Sequence, residues 1–279
     1  MRVVLFALAS APALAWVSPP KAEAARRVRG QPLASHTNIY PMFTINDMEQ
    51  AKPHLDGMVE ATKAEAGCLY YGWTICGDKL HCRETYVDGA AASVHLGAAG
   101  PLVGAMLESG AASLDEIGIM GTAADLAAAK EAGDGLGCAY WEVWDSFSNF
   151  KKEASEVAAT ANFCTIQPTF TLADRAKAEP FMKQCVEATK SEKGCVYYGW
   201  TISGDKLYCR EAYVDGAAVD AHLKNAVPIV GAMLDSGAAS LDKIEVHGPK
   251  AELEKCKAEG DALGAKYFET YATWSKFSV

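Results

Sequence analysis

This 279-residue chain contains no Cys-x-x-Cys pair, no His-Glu-x-x-His and no glycine-rich loop placed after a strand. The first two absences remove the common zinc signatures, and the third removes a phosphate cradle for a nucleotide cofactor. Histidine is scarce, with six in all, and isolated histidines give a haem site little support. Neither a metal nor another cofactor is therefore expected. Positive charge is also short, at 26 Lys and Arg against 35 Asp and Glu, for a formal net of −9.

The N-terminus runs against that balance. Arg2 precedes an apolar run, VVLFALASAPALAW, that ends in the small-residue pattern Ala13-Leu14-Ala15. The run is too short and too soon interrupted by proline to span a bilayer, and it reads as a cleavable signal. A basic, acid-poor stretch, WVSPPKAEAARRVRGQPLASHT, follows it. An aromatic residue just after the cleavage site, followed by such a stretch, resembles the two-part plastid import leaders of algae with secondary plastids; ordinary secretion is the alternative. Without the five bases and one acid of residues 1–35 the remainder holds 21 bases and 34 acids, a formal net of −13. So acidic a body argues against nucleic acid or an anionic membrane surface as partner.

What the chain does contain, it contains twice. GCLYYGWTICGDKLHCRETYVD over 67–88 returns as GCVYYGWTISGDKLYCREAYVD over 194–215, with 18 of 22 positions identical and a constant spacing of 127 residues. The spacing also matches Pro53 with Pro180, His95-Leu96 with His222-Leu223, and Tyr140 with Tyr267. A period this long marks a duplicated domain, because solenoid repeats run roughly 20–50 residues. The expected division is a leader over 1–35, a first domain over 36–148, a linker over 149–162 and a second domain over 163–279.

Gly77-Asp78 and Gly204-Asp205 separate β-prone runs, which predicts two hairpins with tight turns. Folding about the first turn pairs Ile75 with Leu80, Trp73 with Cys82, Tyr71 with Glu84 and Leu69 with Tyr86. Alternation puts these on one face, apolar and aromatic except for Glu84, and Tyr70, Thr74, His81, Arg83 and Thr85 on the other. A short strand (39–45, 166–172) and a helix precede each hairpin, the helix becoming regular near Pro53 or Pro180. A helix broken near Pro101 or Pro228, a fourth strand, a third helix and a last strand follow. Strand-helix-strand-strand-helix-strand is the ferredoxin-like order. The extra strand is expected as an edge addition, and the bare sheet face of one unit is expected to pack on that of the other.

Nine cysteines, an odd number, form no spaced framework. In the hairpin Cys68 and Cys82 would stand roughly 16 Å apart at strand rise, well beyond disulfide reach. Cys195 and Cys209 are placed alike, so free thiols are expected, which suits a stromal compartment.

The GC-x-Y-Y opening, Glu84-x-Tyr86 and the later His95-Leu96, with their copies, resemble the antibiotic biosynthesis monooxygenase superfamily. A later His247-Gly248-Pro249 with Glu252-Leu253 adds to the likeness. The resemblance covers residues 38–144 and 165–271. It implies an α+β fold: two tandem ferredoxin-like domains forming an intrachain dimeric α+β barrel. The superfamily includes quinol- and polyketide-oxidising monooxygenases without metal or flavin, haem-degrading members and others of unknown activity. A histidine that members often carry just after the His-Leu pair is missing here, where 98–101 and 225–228 stand.

Cofactor-free oxygenation needs an electron-rich substrate, a dry pocket, a base and donors that orient the ring. The repeated residues offer these parts. Glu84, His95, Glu211 and His222 are the acid-base candidates. Tyr71, Trp73, Tyr86, Tyr198, Trp200 and Tyr213 are the candidate walls and donors. Each also has an ordinary reading, as core aromatic, ion-paired or capping glutamate, or hydrogen-bonded structural histidine. The expectation is a monooxygenase-like protein acting on a small aromatic, quinol or polyketide-like molecule. A non-catalytic ligand-binding or stress-response barrel is its alternative.

Overall fold

The computed structural model describes residues 36–149 and 162–275. The leader expected over 1–35, most of the linker expected over 149–162 and residues 276–279 lie outside them. The two hairpins are β3 (Cys68–Cys76) with β4 (Lys79–Tyr86) and β9 (Cys195–Ser203) with β10 (Lys206–Tyr213). Gly77 and Gly204 make the turns at φ of 63° and 61°, a region in which a side chain is strained. The register follows the alternation up to Tyr71 opposite Glu84, then slips: Cys68, not Leu69, faces Tyr86. Val196 is passed over in the same way in β9. The bulge corrects the expected Leu69–Tyr86 pairing. It turns Cys68 toward the helices while Leu69 and Tyr70 both pack with Phe163, Val196 and Tyr197 in the barrel interior.

In the first unit β1 (Thr37–Ile39) and β2 (Met42–Ile45) are one strand broken at Pro41, followed by α1 (Met48–Lys63). After the hairpin come α2 (Gly89–Glu108), β5 (Ala112–Glu116), β6 (Gly118–Gly121), α3 (Ala123–Leu136) and β7 (Ala139–Ser148). The second unit repeats this as β8 (Cys164–Leu172), α4 (Arg175–Thr189), the hairpin, α5 (Gly216–Asp235), β11 (Ala239–Gly248), α6 (Lys250–Leu253), α7 (Lys257–Ala262) and β12 (Lys266–Ser275). The strand expected to be an edge addition is instead the fourth strand of the ferredoxin order. The true extra is the last strand, and it bridges. β7 lies parallel to β6 and antiparallel to β9 of the other unit; β12 lies parallel to β11 and antiparallel to β3. With β1 paired to both β4 and β6, the hydrogen-bonded ring closes on itself. The chain is thus an α+β barrel of two tandem ferredoxin-like units, and closure leaves no exposed edge in the ring.

Aspartates set the helix starts. Asp47, Asp88, Asp174 and Asp215 each accept a hydrogen bond from a first-turn backbone N–H. Because Asp47 and Asp174 cap them, α1 and α4 begin before Pro53 and Pro180, which lie inside the helices. α2 and α5 also run unbroken through Pro101 and Pro228, against the expected break. All four prolines are exposed, as are Glu49, Gly97, Ala176 and Lys224 four residues earlier. The carbonyls that proline leaves without a partner can therefore turn to water.

Each unit has its own core between sheet and helices. Phe43, Leu55, Met58, Trp73 and Tyr86 belong to one, and Phe170, Met182, Val186, Trp200 and Tyr213 to the other. All nine cysteines are free thiols, eight of them buried.

Candidate functional site

Alternation along β4 sends Leu80, Cys82, Glu84 and Tyr86 to the helix side, so the carboxylate enters an apolar layer from the sheet. His95, on the second turn of α2, comes down on it. Glu84 Oε2 lies 3.1 Å from His95 Nε2 and accepts a hydrogen bond from Tyr86 Oη at 2.8 Å. The other ring nitrogen, Nδ1, lies 3.0 Å from both oxygens of Glu65, in the turn after α1. The second unit repeats the chain of contacts. Glu211 Oε2 meets His222 Nε2 at 3.0 Å and Tyr213 Oη at 2.8 Å, and Glu192 Oε2 meets His222 Nδ1 at 2.9 Å. Asn225 adds a donor to Glu192 at 2.7 Å, from the segment where Ala98 stands in the first unit.

Burial by itself would lower each imidazole's pKa, but the carboxylates on both sides outweigh it and raise His95 and His222 to about 9. Both nitrogens therefore carry protons at neutral pH, and neither has a lone pair with which to take another. The histidines, expected among the acid-base candidates, each stand between two carboxylates. Burial, reinforced by Glu84 and Glu211, pushes the Tyr86 and Tyr213 phenols up, so they remain protonated donors. These two tyrosines were expected to face a ligand; their hydroxyls are spent on the carboxylates instead. The tyrosine and the histidine thus converge on the same oxygen, Oε2, in both units.

Beside each carboxylate opens a pocket. In the first unit it holds about 50 Å³ and is lined by Tyr71, Trp73, Glu84 and His95 with Phe43 and Val103. In the second it holds about 110 Å³ and is lined by Tyr198, Trp200, Glu211 and His222 with Phe170 and Val230. Tyr71 and Trp73 meet edge to face at 5.8 Å, as Tyr198 and Trp200 do at 5.9 Å. The indoles differ: Trp200 Nε1 donates to Met182 O at 3.1 Å, while Trp73 Nε1 has no hydrogen-bond partner among the described residues. Sequence reasoning missed Glu65 and Glu192. They do recur at the 127-residue spacing, two residues upstream of the repeated stretch.

No protein-family model matches the sequence, and no curated protein does. Solved structures do match. MupZ from Pseudomonas fluorescens is 31% identical over 92% of its length and 40% of this chain, with a TM-score of 0.36. A candidate monooxygenase from Fusobacterium nucleatum matches 88% of this chain and 97% of its own at 12% identity, with a TM-score of 0.56. A ferredoxin-fold protein of Listeria monocytogenes related to antibiotic biosynthesis monooxygenases matches 78% of this chain and 97% of its own at 8% identity, with a TM-score of 0.38. The likeness to the Fusobacterium nucleatum structure is one of fold: this chain is an α+β barrel of two tandem ferredoxin-like units in one polypeptide.

Proposed function

We propose that each helix-side pocket binds a small aromatic, quinol or polyketide-like molecule and oxidises it with O₂. The observation that carries this reading is the buried carboxylate of Glu84 or Glu211, held at Oε2 by a tyrosine and a histidine, at the wall of an apolar aromatic pocket. In this reading a flat ring lies between the Tyr-Trp pair and the helix, with its acidic hydroxyl or activated CH₂ against the carboxylate. The carboxylate takes one proton, and the anion it leaves is electron-rich enough to react with O₂. Oxidation of an activated CH₂ to C=O then balances without an outside reductant. One oxygen atom enters the product, the other leaves as water with the two hydrogens, and the substrate supplies the electrons.

A second reading has its own support. An imidazolium clamped between two carboxylates has no proton acceptor of its own near neutral pH, which suits a binding barrel that performs no chemistry. Oxygen-electrode measurements with a panel of quinols and anthrones separate the two. Catalysis predicts uptake that falls by about 10²-fold or more in Glu84→Gln/Glu211→Gln. Ligands that quench Trp73 and Trp200 fluorescence without oxygen uptake support the binding reading. The leader's composition carries the further proposal that the protein is imported into a plastid.

A further inference from the structure

We propose that the barrel interior holds one divalent first-row transition-metal ion on His81 of β4 and on Glu245 and His247 of β11. One ligand atom from each residue lies within 4.8 Å of the other two, and all three side chains are buried. The site joins the two units and does not rest on the reaction proposed for the helix-side pockets. Along β4, His81 and Arg83 face inward while Cys82 and Glu84 face the helices; along β11, Glu245 and His247 face inward while Ile244 and Val246 face the helices.

The hydrogen bonds fix where the lone pairs are. His81 Nδ1 lies 2.9 Å from the Cys82 carbonyl, which can only accept, so Nδ1 carries the proton and Nε2 the lone pair. Thr74 Oγ1 donates to His81 O at 3.2 Å and lies 2.8 Å from His247 Nδ1. A hydroxyl has one proton, already given to the carbonyl, so His247 Nδ1 is the donor to Thr74 and its Nε2 also keeps a lone pair. Imidazoles fixed through Nδ1 by a carbonyl or hydroxyl are the outer-shell arrangement found around bound metals.

Neither His247 Nε2 nor Glu245 Oε2 has a hydrogen-bond partner among the described residues. They stand 3.9 Å apart, too far to bond each other. Lys243 Nζ, 3.4 Å from Glu245 Oε1, engages only the other carboxylate oxygen. A tetrahedral ion with bonds of about 2.0–2.1 Å sets its ligand atoms roughly 3.3 Å apart. A small inward movement would therefore satisfy all three. Two neutral imidazoles and one carboxylate suit zinc or ferrous iron, with a position left for water or a further ligand.

The duplication supplies an internal control. The residues corresponding to His81, Glu245 and His247 are Tyr208, Gly118 and Met120. There Tyr208 and Met120 pack with Tyr40 against Trp141, the two tyrosine rings stacked at 5.6 Å. Thr201 still donates to Tyr208 O at 3.1 Å, as Thr74 does to His81 O. The supporting hydroxyl is common to both positions, and the ligand-type side chains occur at one alone. One pseudo-equivalent position is filled by packed rings, and the other presents three convergent donors.

The test uses the purified full chain, stripped with chelator and titrated with Zn²⁺, with Co²⁺, and anaerobically with Fe²⁺. Bound metal is counted by elemental analysis after gel filtration. The expected result is one ion per chain, with Co²⁺ giving visible absorption bands. Glu245→Gln should weaken binding at least about tenfold, and His81→Tyr/His247→Met at least about 100-fold. The double variant installs the side chains that the other half already packs at the corresponding positions, and Glu245→Gln preserves shape should the double variant not fold. A folded wild-type chain that binds no ion, or unchanged affinity in Glu245→Gln, overturns the proposal.

Discussion

Glu84 and His95 meet at 3.1 Å inside the first unit, and 127 residues later Glu211 and His222 meet at 3.0 Å inside the second. Each contact joins a sheet residue to a helix residue, buries both and extends to a second carboxylate, Glu65 or Glu192. That chain ties the turn after the first helix, the sheet and the second helix of each unit together around its pocket.

Stability should depend on pH through these histidines. Their folded pKa, about 9, lies above the unfolded value near 6.5. Their contribution is therefore fully present below about pH 6.5 and is lost as pH rises through 9. Between pH 6.5 and 8, below the range where unfolded thiols ionise, urea unfolding should show stability falling by roughly 1 kcal/mol per pH unit for each histidine. The variant His95→Gln/His222→Gln should lose that fall and show stability rising modestly with pH instead, because burial holds the His36, His81 and His247 pKa values below the unfolded one.

Tyr86→Phe and Tyr213→Phe each remove a 2.8 Å bond to a buried carboxylate. Each should cost about 1.5–3 kcal/mol, the range for hydrogen bonds to charged groups. Denaturant midpoints measure this, and costs that add in the double variant would show that the two units carry independent networks.

A Cβ placed on Gly231, which lines the second pocket, would meet nothing within 4 Å. Gly231→Phe should fill that cavity and lower ligand affinity there by more than about tenfold. Thermal stability should hold or rise, because glycine is a poor helix former. Ligand titration by tryptophan fluorescence, with the first pocket untouched, provides the readout.

Gly89 and Gly216 behave oppositely. A Cβ on Gly216 would stand 1.9 Å from the Glu252 carbonyl oxygen, and one on Gly89 2.0 Å from that of Asp125. Both obstacles are backbone and cannot rotate away. Gly216→Ala should destabilise by more than about 3 kcal/mol, as severe overpacking does; circular dichroism on heating checks it.

Much of this architecture was legible in the residues because β-structure alternates. Period two placed Glu84 among Tyr71, Trp73 and Cys82 on one face, and the repeat gave the same answer for Glu211. Other features carried no local signal. Nothing in Tyr140 or Tyr267 says which sheet a strand will join, so the exchange of β7 and β12 between units was not visible. A bulge at Leu69 leaves no mark in an apolar run. The prolines misled because their effect depends on facing solvent, which only the packed helix reveals. His81, Glu245 and His247 were passed over for the reverse of the reason that exposed Glu84. Features kept in both halves stand out in a duplicated sequence, whereas these three converge from different units and occur once.

The most direct test of a carboxylate acting on a bound aromatic is oxidation under ¹⁸O₂, comparing the wild type with Glu84→Gln/Glu211→Gln. The account predicts one labelled oxygen atom in the product of the wild type and turnover slower by about 10²-fold or more in the folded variant. Product carrying oxygen from water, or equal turnover by the variant, would contradict it.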